Sequence, residues 1–434
     1  MKKTILSLVM LTAICSLAGV AYVHASQTQT QTVNLWIWSF PDQVGVFNEI
    51  AAAFEKDNPD IKIEMVVPNV ADYLEKLTVA IAGGAAPDVA YLSQGWMPPL
   101  AVAGSFADLT PYINRDGYDL NAYFPAVMDS FRYGDKVYGL PFDFMPHAIA
   151  YNIDLFDAAG LSRPPDQIDD MDRWKWADFR IAVQKIQERH PDGSIKTAGF
   201  RQQAHWREVW FLLWQNGAEF LNSTCTRAAL NTSAGIEAYQ FFVDLIHVYD
   251  ASPKLSEISK VRFEQGNVGM QSTAQGYGTG LSFTWDYTFM PWQVNKATTM
   301  SLAGYAMMAQ TKVPEAAWRV ISYFAGEKAN RIHVQTAWPR NVPAMRSAAS
   351  SAEFLQKNPY YRVTLQSTAF ARIPDANYTY RYNDIQSLAT SELRKMLEQT
   401  NSVPVGMERI AMQVNAMLAE DAAKGLVWSC NNPK

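Results

Sequence analysis

Val33-Asn34-Leu35-Trp36-Ile37-Trp38 reads as a strand, because apolar Val33, Leu35 and Ile37 alternate with Asn34, Trp36 and Trp38 at a period of two. Phe47, Ile50, Ala51 and Phe54 then fall on one helical stripe that Asn58-Pro59 ends. Ile61, Ile63 and Met65 alternate with Lys62 and Glu64 as a second strand. Tyr73, Leu77 and Ile81 give a second stripe stopped by Gly83-Gly84, and Val89 to Leu92 is a short apolar third strand. The order βαβαβ predicts a largely parallel sheet with helices on both faces. Ligands of such sheets gather at the carboxyl ends of strands. Those ends carry Trp38-Ser39-Phe40-Pro41-Asp42 and Ser93-Gln94-Gly95-Trp96, which mix rings with hydrogen-bonding groups. A third such segment, Leu140-Pro141-Phe142-Asp143-Phe144-Met145, leads into an apolar strand over 148–151, with Asp143, Met145 and His147 on one strand face.

The whole chain, 434 residues with 48% hydrophobic and 18% charged composition, is too long for one core, so two lobes are expected. A net charge of −5 with no long Lys/Arg cluster argues against nucleic acid as a partner. Aromatic residues are the compositional excess: 13 Trp, 20 Tyr and 21 Phe, more rings than packing alone calls for.

Lys2 and Lys3, the uncharged run from Ile5 to Val23 and the small-x-small pattern Val23-His24-Ala25 read as an export signal cleaved after Ala25, followed by a polar linker over 26–32. An uncleaved anchor is the competing reading. Cleavage removes Lys2, Lys3 and Cys15, which makes the charge two units more negative and leaves Cys225 and Cys430. Two thiols in an exported chain invite a disulfide closing a loop of about 206 residues, worth ~5 kcal/mol on the chain-entropy model; the alternative is two unpaired buried thiols. No CxxC and no paired His spacing supports a metal, and no cofactor is expected.

Several stretches resemble the family 1 extracellular solute-binding proteins, the maltose-binding-protein-like receptors of carbohydrate ABC importers. They are Phe54-Glu55-Lys56-Asp57-Asn58-Pro59, Gly84-Ala85-Ala86-Pro87-Asp88-Val89, Gly104-Ser105-Phe106-Ala107-Asp108-Leu109-Thr110-Pro111 and Val137-Tyr138-Gly139-Leu140-Pro141. Tyr151-Asn152-Ile153-Asp154-Leu155-Phe156, Phe263-Glu264-Gln265-Gly266-Asn267-Val268-Gly269-Met270 and Pro314-Glu315-Ala316-Ala317-Trp318 follow in the same order. One departure is that Pro164-Pro165 is separated from Trp174 and Trp176 by an acidic insertion.

The resemblance implies an α/β periplasmic-binding-protein fold of two lobes, each a largely parallel sheet flanked by helices, with the ligand cleft between them. Lobe I is expected over 33–145 and 303–345, and lobe II over 146–302 and 346–430. Asp143 to Tyr151 is the expected first crossover, Leu302 to Tyr305 the second and the segment near Val342 the third. The implied protein is a soluble periplasmic monomer that hands a carbohydrate to membrane permease subunits. Matching the family's contact positions implicates Asp42, Gln94, Trp96, Asp143 and Met145 in lobe I. His205, Trp206, Arg207, Gly276 and Tyr277 are their counterparts in lobe II, with Trp338 and Arg340 in a last loop.

A sugar offers an apolar C–H face and a hydroxyl rim, so rings and fixed polar groups are what a receptor needs. Trp36, Trp210, Phe211, Trp214 and Trp285 read instead as packing residues. Two other classes compete. A secreted glycoside hydrolase would need two flanking carboxylates, for which Asp42 and Asp143 are candidates, but no HExxH, GxSxG or GxxxxGK[ST] is present. A phosphorylated-polyol receptor would need several cleft cations, and only Arg207 and Arg340 qualify.

Overall fold

The computed structural model describes residues 30–39, 43–202, 204–273, 280–335 and 341–426, apart from the side chains of residues 70, 206 and 207. The first sheet begins with β1 (Gln31–Trp36), β2 (Ile61–Val66) and β3 (Val89–Ser93), as the alternation predicts. β1 runs parallel to both neighbours, with Val33 opposite Ile63 and Leu35 opposite Met65 on one side and Val89 on the other. Val33, Leu35 and Ile37 are fully buried. Helices α1 (Val44–Asp57) and α2 (Tyr73–Ala82) bury Phe47, Ile50 and Phe54, and Tyr73 and Leu77. Asn58 caps α1 through its backbone N–H and its side chain, both donating to the Phe54 carbonyl.

The chain then adds β4 (Leu140–Pro146) to this sheet, turns at His147 and starts a second sheet with β5 (Ala148–Asn152). β6 (Ile195–Phe200), β7 (Val268–Thr273) and β8 (Trp285–Thr288) complete the second sheet in the order β8-β5-β7-β6, with the short strand Glu188–Arg189 on its edge. One face of this sheet packs on α3 (Trp176–Ile186), α4 (Trp206–Gln215), α5 (Ser233–His247), α6 (Tyr382–Leu397) and α7 (Val403–Ala423). β9 (Thr298–Met307) and β10 (Val342–Pro343) return to the first sheet, whose order is β10-β4-β9-β3-β1-β2, and β11 (Ala371–Arg372) pairs with the start of β9.

Both sheets are mixed. β1–β3 and β6–β7 are parallel as expected, while the connecting strands run against their neighbours: β9 against β3 and β4, and β5 against β7 and β8. A strand that carries the chain from one lobe to the other enters the second sheet from the opposite end, which fixes its direction.

The crossovers are laced at one place. His147 N–H donates to the Thr299 carbonyl at 2.9 Å, and Thr298 Oγ1 donates to the His147 carbonyl at 2.8 Å. In β11, Ala371 lies opposite Thr298 and Arg372 opposite Thr299. The first crossover therefore falls where expected, within 143–151. The second lies at Thr298–Met300, ahead of Leu302, since Met300 already pairs with Pro146. The third is β11 and not the segment near Val342, because Val342 and Pro343 remain in the first sheet opposite Phe144 and Asp143. Helices Arg346–Ala349 and Ala352–Lys357, expected in lobe II, bury Ala348, Ala349 and Phe354 in the first core. Ser347 there bonds Glu327 across to the helix Glu327–Gln335. The acidic insertion forms the 3-10 helix Ile168–Arg173, tied to the helix Tyr361–Ser367 by Gln366 and by Arg362, which pairs with Asp166 and Asp286.

Trp210, Phe211 and Trp214 are buried to within 2% in the second core, as their helical spacing predicts. Packing there leaves no slack at Gly199 in β6. A Cβ on Gly199 would stand 1.8 Å from the Val183 carbonyl oxygen of α3 and 2.8 Å from that of Ala251. Gly199→Ala must push α3 off the sheet, and urea unfolding should show a loss of ~3 kcal/mol or more; a loss below ~0.5 kcal/mol would refute this close approach.

Candidate functional site

The carboxyl ends of β1 and β3 present a cluster of rings. Trp38 follows β1 and Trp96 ends the 3-10 turn Gln94–Trp96 that follows β3. Trp96 stacks on Tyr73 at 5.6 Å between centroids, Trp38 stacks on Tyr91 at 5.5 Å, and the two indoles meet edge to face at 5.8 Å. Tyr73 and Tyr91 are buried beneath them, while Trp38 and Trp96 stay half-buried. Buried rings thus hold two rings that remain partly exposed, and flat rings are what stacks on a sugar's C–H face.

The polar groups under this platform are largely committed to the protein. Gln94 is buried, and its Oε1 accepts from the Leu302 backbone N–H of β9 at 2.9 Å, which fixes the β3 turn against the crossover strand. Asp143 is 6% exposed, and Tyr91 donates its hydroxyl to Oδ2 at 2.9 Å. Burial pushes the Asp143 carboxyl up to about 6, against the lowering effect of Tyr91 and Asn341. Met145 is buried at 1%. Asp143 is thus tied through Tyr91 to the underside of the platform, and Met145 lies in the first core. His147 is fully buried, its Nε2 3.2 Å from Ser301 Oγ.

From the second lobe, His205 is half-buried, and its carbonyl accepts from Glu208 N–H as the chain enters α4. Trp206 and Arg207 are the first residues of α4 or next to it, at the same end as His205. Asp42, Gly276, Tyr277, Trp338, Arg340 and Cys430 lie outside the described residues. Cys225 is disulfide-bonded.

Sequence reasoning missed the segment after the third crossover. Asn377-Tyr378-Thr379-Tyr380-Arg381-Tyr382 carries three tyrosines at alternate positions, the one local signal that was available. Tyr382, at the start of α6, lies directly over Gly95: a Cβ built there would be 2.1 Å from the Tyr382 ring. This is a contact between the lobes, and the glycine is what permits it. Nearby, the Asp129 carboxylate of the first lobe acts electrostatically on the Tyr378 hydroxyl, and Tyr378 on that of Tyr133, while burial raises all three groups. Behind this segment the Asp375 carboxylate accepts from Trp210 Nε1 of α4 and from Leu221 N–H, both at 2.7 Å, and burial pushes it up to about 6. Among the described residues, no group of three or more His, Cys, Asp or Glu is placed to hold a metal ion. No helix among them is long and apolar enough to cross a membrane.

Residues 38–331, more than half of the chain, match the family described as bacterial extracellular solute-binding proteins. Among solved structures, an ABC substrate-binding protein of Listeria monocytogenes in complex with cycloalternan superposes with a TM-score of 0.79 at 25% identity, covering 90% of this chain and 99% of that one. A maltotriose-binding protein of Pyrococcus abyssi is 23% identical over 50% of this chain and 44% of its own length. Binding proteins of Brucella abortus are 27% identical over 59% of this chain. The chain spans 62% of the length of these last relatives.

The raised Asp143 value has a definite sign. A carboxyl at about 6 in the folded state and at an ordinary 3.8 when unfolded makes the folded state hold the extra proton between those values. Its contribution is present below pH ~4 and lost as pH rises through ~6, a cost on the order of 3 kcal/mol at most. Asp143→Asn should therefore gain stability relative to the parent between pH 4.5 and 7 in urea unfolding. Parallel pH profiles for the two proteins would contradict the burial argument.

Proposed function

Because this chain belongs to the bacterial extracellular solute-binding protein family, we propose that it is the exported receptor of an ABC importer. It takes an oligosaccharide between its lobes and releases it unchanged to membrane permease subunits. The observation that carries this reading is the pair of half-buried indoles, Trp38 and Trp96, held on buried Tyr91 and Tyr73 at the line where Tyr382 of the other lobe meets Gly95. Rings fixed in this way lose little freedom when a sugar stacks on them, so more of the contact energy appears as affinity. The relatives named for cycloalternan and maltotriose support an oligosaccharide as the ligand class.

His205, Trp206 and Arg207 at the head of α4 supply the second lobe's side of the cleft in this reading. Asp42, Gly276, Tyr277, Trp338 and Arg340 are further ligand-binding residues by their match to the family's positions, and Asp143, Met145 and Gln94 are their counterparts in the first lobe. A ligand of about two dozen heavy atoms at ~0.3 kcal/mol each gives about −7 kcal/mol, or a Kd near ~10 μM. The protein acts as a carrier without catalysis: the buried Asp143 carboxylate is engaged by Tyr91 and is no free partner for a second acid.

The mature protein, screened by thermal shift against maltotriose, cycloalternan and lactose, should melt several degrees higher with at least one of them, since ligand at 100 times Kd adds ~2.7 kcal/mol. Trp96→Ala should lower the affinity for that sugar at least tenfold by calorimetry, given ~2 kcal/mol for the lost ring contact. Hydrolysis of the sugar, or full affinity in Trp96→Ala, would sink the proposal.

A further inference from the structure

Gly95 lies in the 3-10 turn Gln94–Trp96 of the first lobe with its backbone outside the positive-φ region, so the turn itself accepts an alanine. What excludes a side chain there comes from the other lobe. The three atoms nearest a Cβ built on Gly95 all belong to the Tyr382 ring, at 2.1, 2.7 and 2.9 Å. Gly95 is buried and Tyr382 is 5% exposed, so both are withdrawn from water in this arrangement.

Each side of this contact is held by its own lobe. Tyr382 packs in the second core, and Arg381 before it grips α7 through Asp421 at 2.9 Å and Glu420 at 3.0 Å. Upstream, Asp375 is fixed by Trp210 and Leu221 of the same lobe. Gly95 is fixed in the first lobe by its neighbours, Gln94 through Leu302 and Trp96 through Tyr73. Tyr378 acts electrostatically on Tyr133, so the segment borders the first lobe at a second point. A ring fixed in one lobe therefore occupies the place of a side chain missing from the other.

We propose that Gly95 and Tyr382 form a latch, an interlobe contact made by the protein alone, whose closing free energy adds to that of the ligand. The proposal rests on the reading of this chain as a receptor that closes on its sugar. Apparent affinity depends on how far the binding-competent closed form is populated, so the latch sets affinity without touching the sugar. A methyl group at position 95 obstructs closure and leaves each lobe intact, because opening relieves the overlap. Gly199 supplies the contrast: its overlap with Val183 lies within one lobe, where no opening can relieve it.

Gly95→Ala in the full chain should melt within ~2 °C of the parent, unlike Gly199→Ala. Without sugar, its radius of gyration by small-angle X-ray scattering should exceed the parent's. By calorimetry it should bind the sugar found in the thermal-shift screen at least tenfold more weakly than the parent. In a Tyr382→Ala background, adding Gly95→Ala should change neither scattering nor affinity, since the ring it strikes is gone. A melting loss as large as that of Gly199→Ala makes the contact fixed packing and overturns the latch. So does scattering identical to the parent's without sugar, full affinity in Gly95→Ala, or an equal effect in both backgrounds. If the parent binds none of the sugars, the receptor reading fails, while melting and sugar-free scattering still decide the latch.

Discussion

Two hydrogen bonds and one strand pair hold the molecule's two halves in a definable relation. His147 and Thr298–Thr299 exchange backbone and hydroxyl bonds, and β11 adds its own pairing to the same two threonines. Every covalent path between the sheets thus passes one small patch, where fully buried His147, Thr298 and Thr299 leave no room for sliding. Each lobe, by contrast, has its own sheet and its own packed helices. Separate cores joined at one laced patch favour rotation about that patch over sliding as the relative motion of the lobes.

That constraint explains how the site is divided. The rings of Trp38 and Trp96 belong to the first sheet and are positioned by Tyr73, Tyr91 and the Gln94–Leu302 bond, none of which depends on the second lobe. Tyr382 approaches from α6, whose position follows from the third crossover and from Arg381 gripping the end of α7. Under the proposed function, a platform held in one lobe and a cover carried by the other would give a ligand contacts to both, and such a ligand would favour the closed arrangement.

Much of this was legible in the sequence where the signal is local. β1, α1, β2, α2 and β3 follow from periods of two and of helical stripes, and Trp210 and Trp214 fall in the core as their spacing indicates. The third crossover was not legible, because β11 is two residues long and exists only through its partner, with no periodicity of its own. Asp143 and Met145 were read as ligand contacts from the family's contact positions, and alternation along β4 put them on one face. All seven residues of that strand are buried, covered on both sides, so alternation no longer distinguishes a cleft face from a core face. Tyr382 was missed for a related reason: its role comes from an approach to Gly95 across 287 positions of sequence, which no local pattern announces.

Small-angle X-ray scattering of the protein with and without a saturating oligosaccharide tests the hinge account most directly. The account predicts that the sugar-loaded protein scatters as this structure does, with Tyr382 over Gly95, and that the sugar-free protein has a larger radius of gyration. Identical curves in the two conditions, with binding established separately by calorimetry, would contradict it.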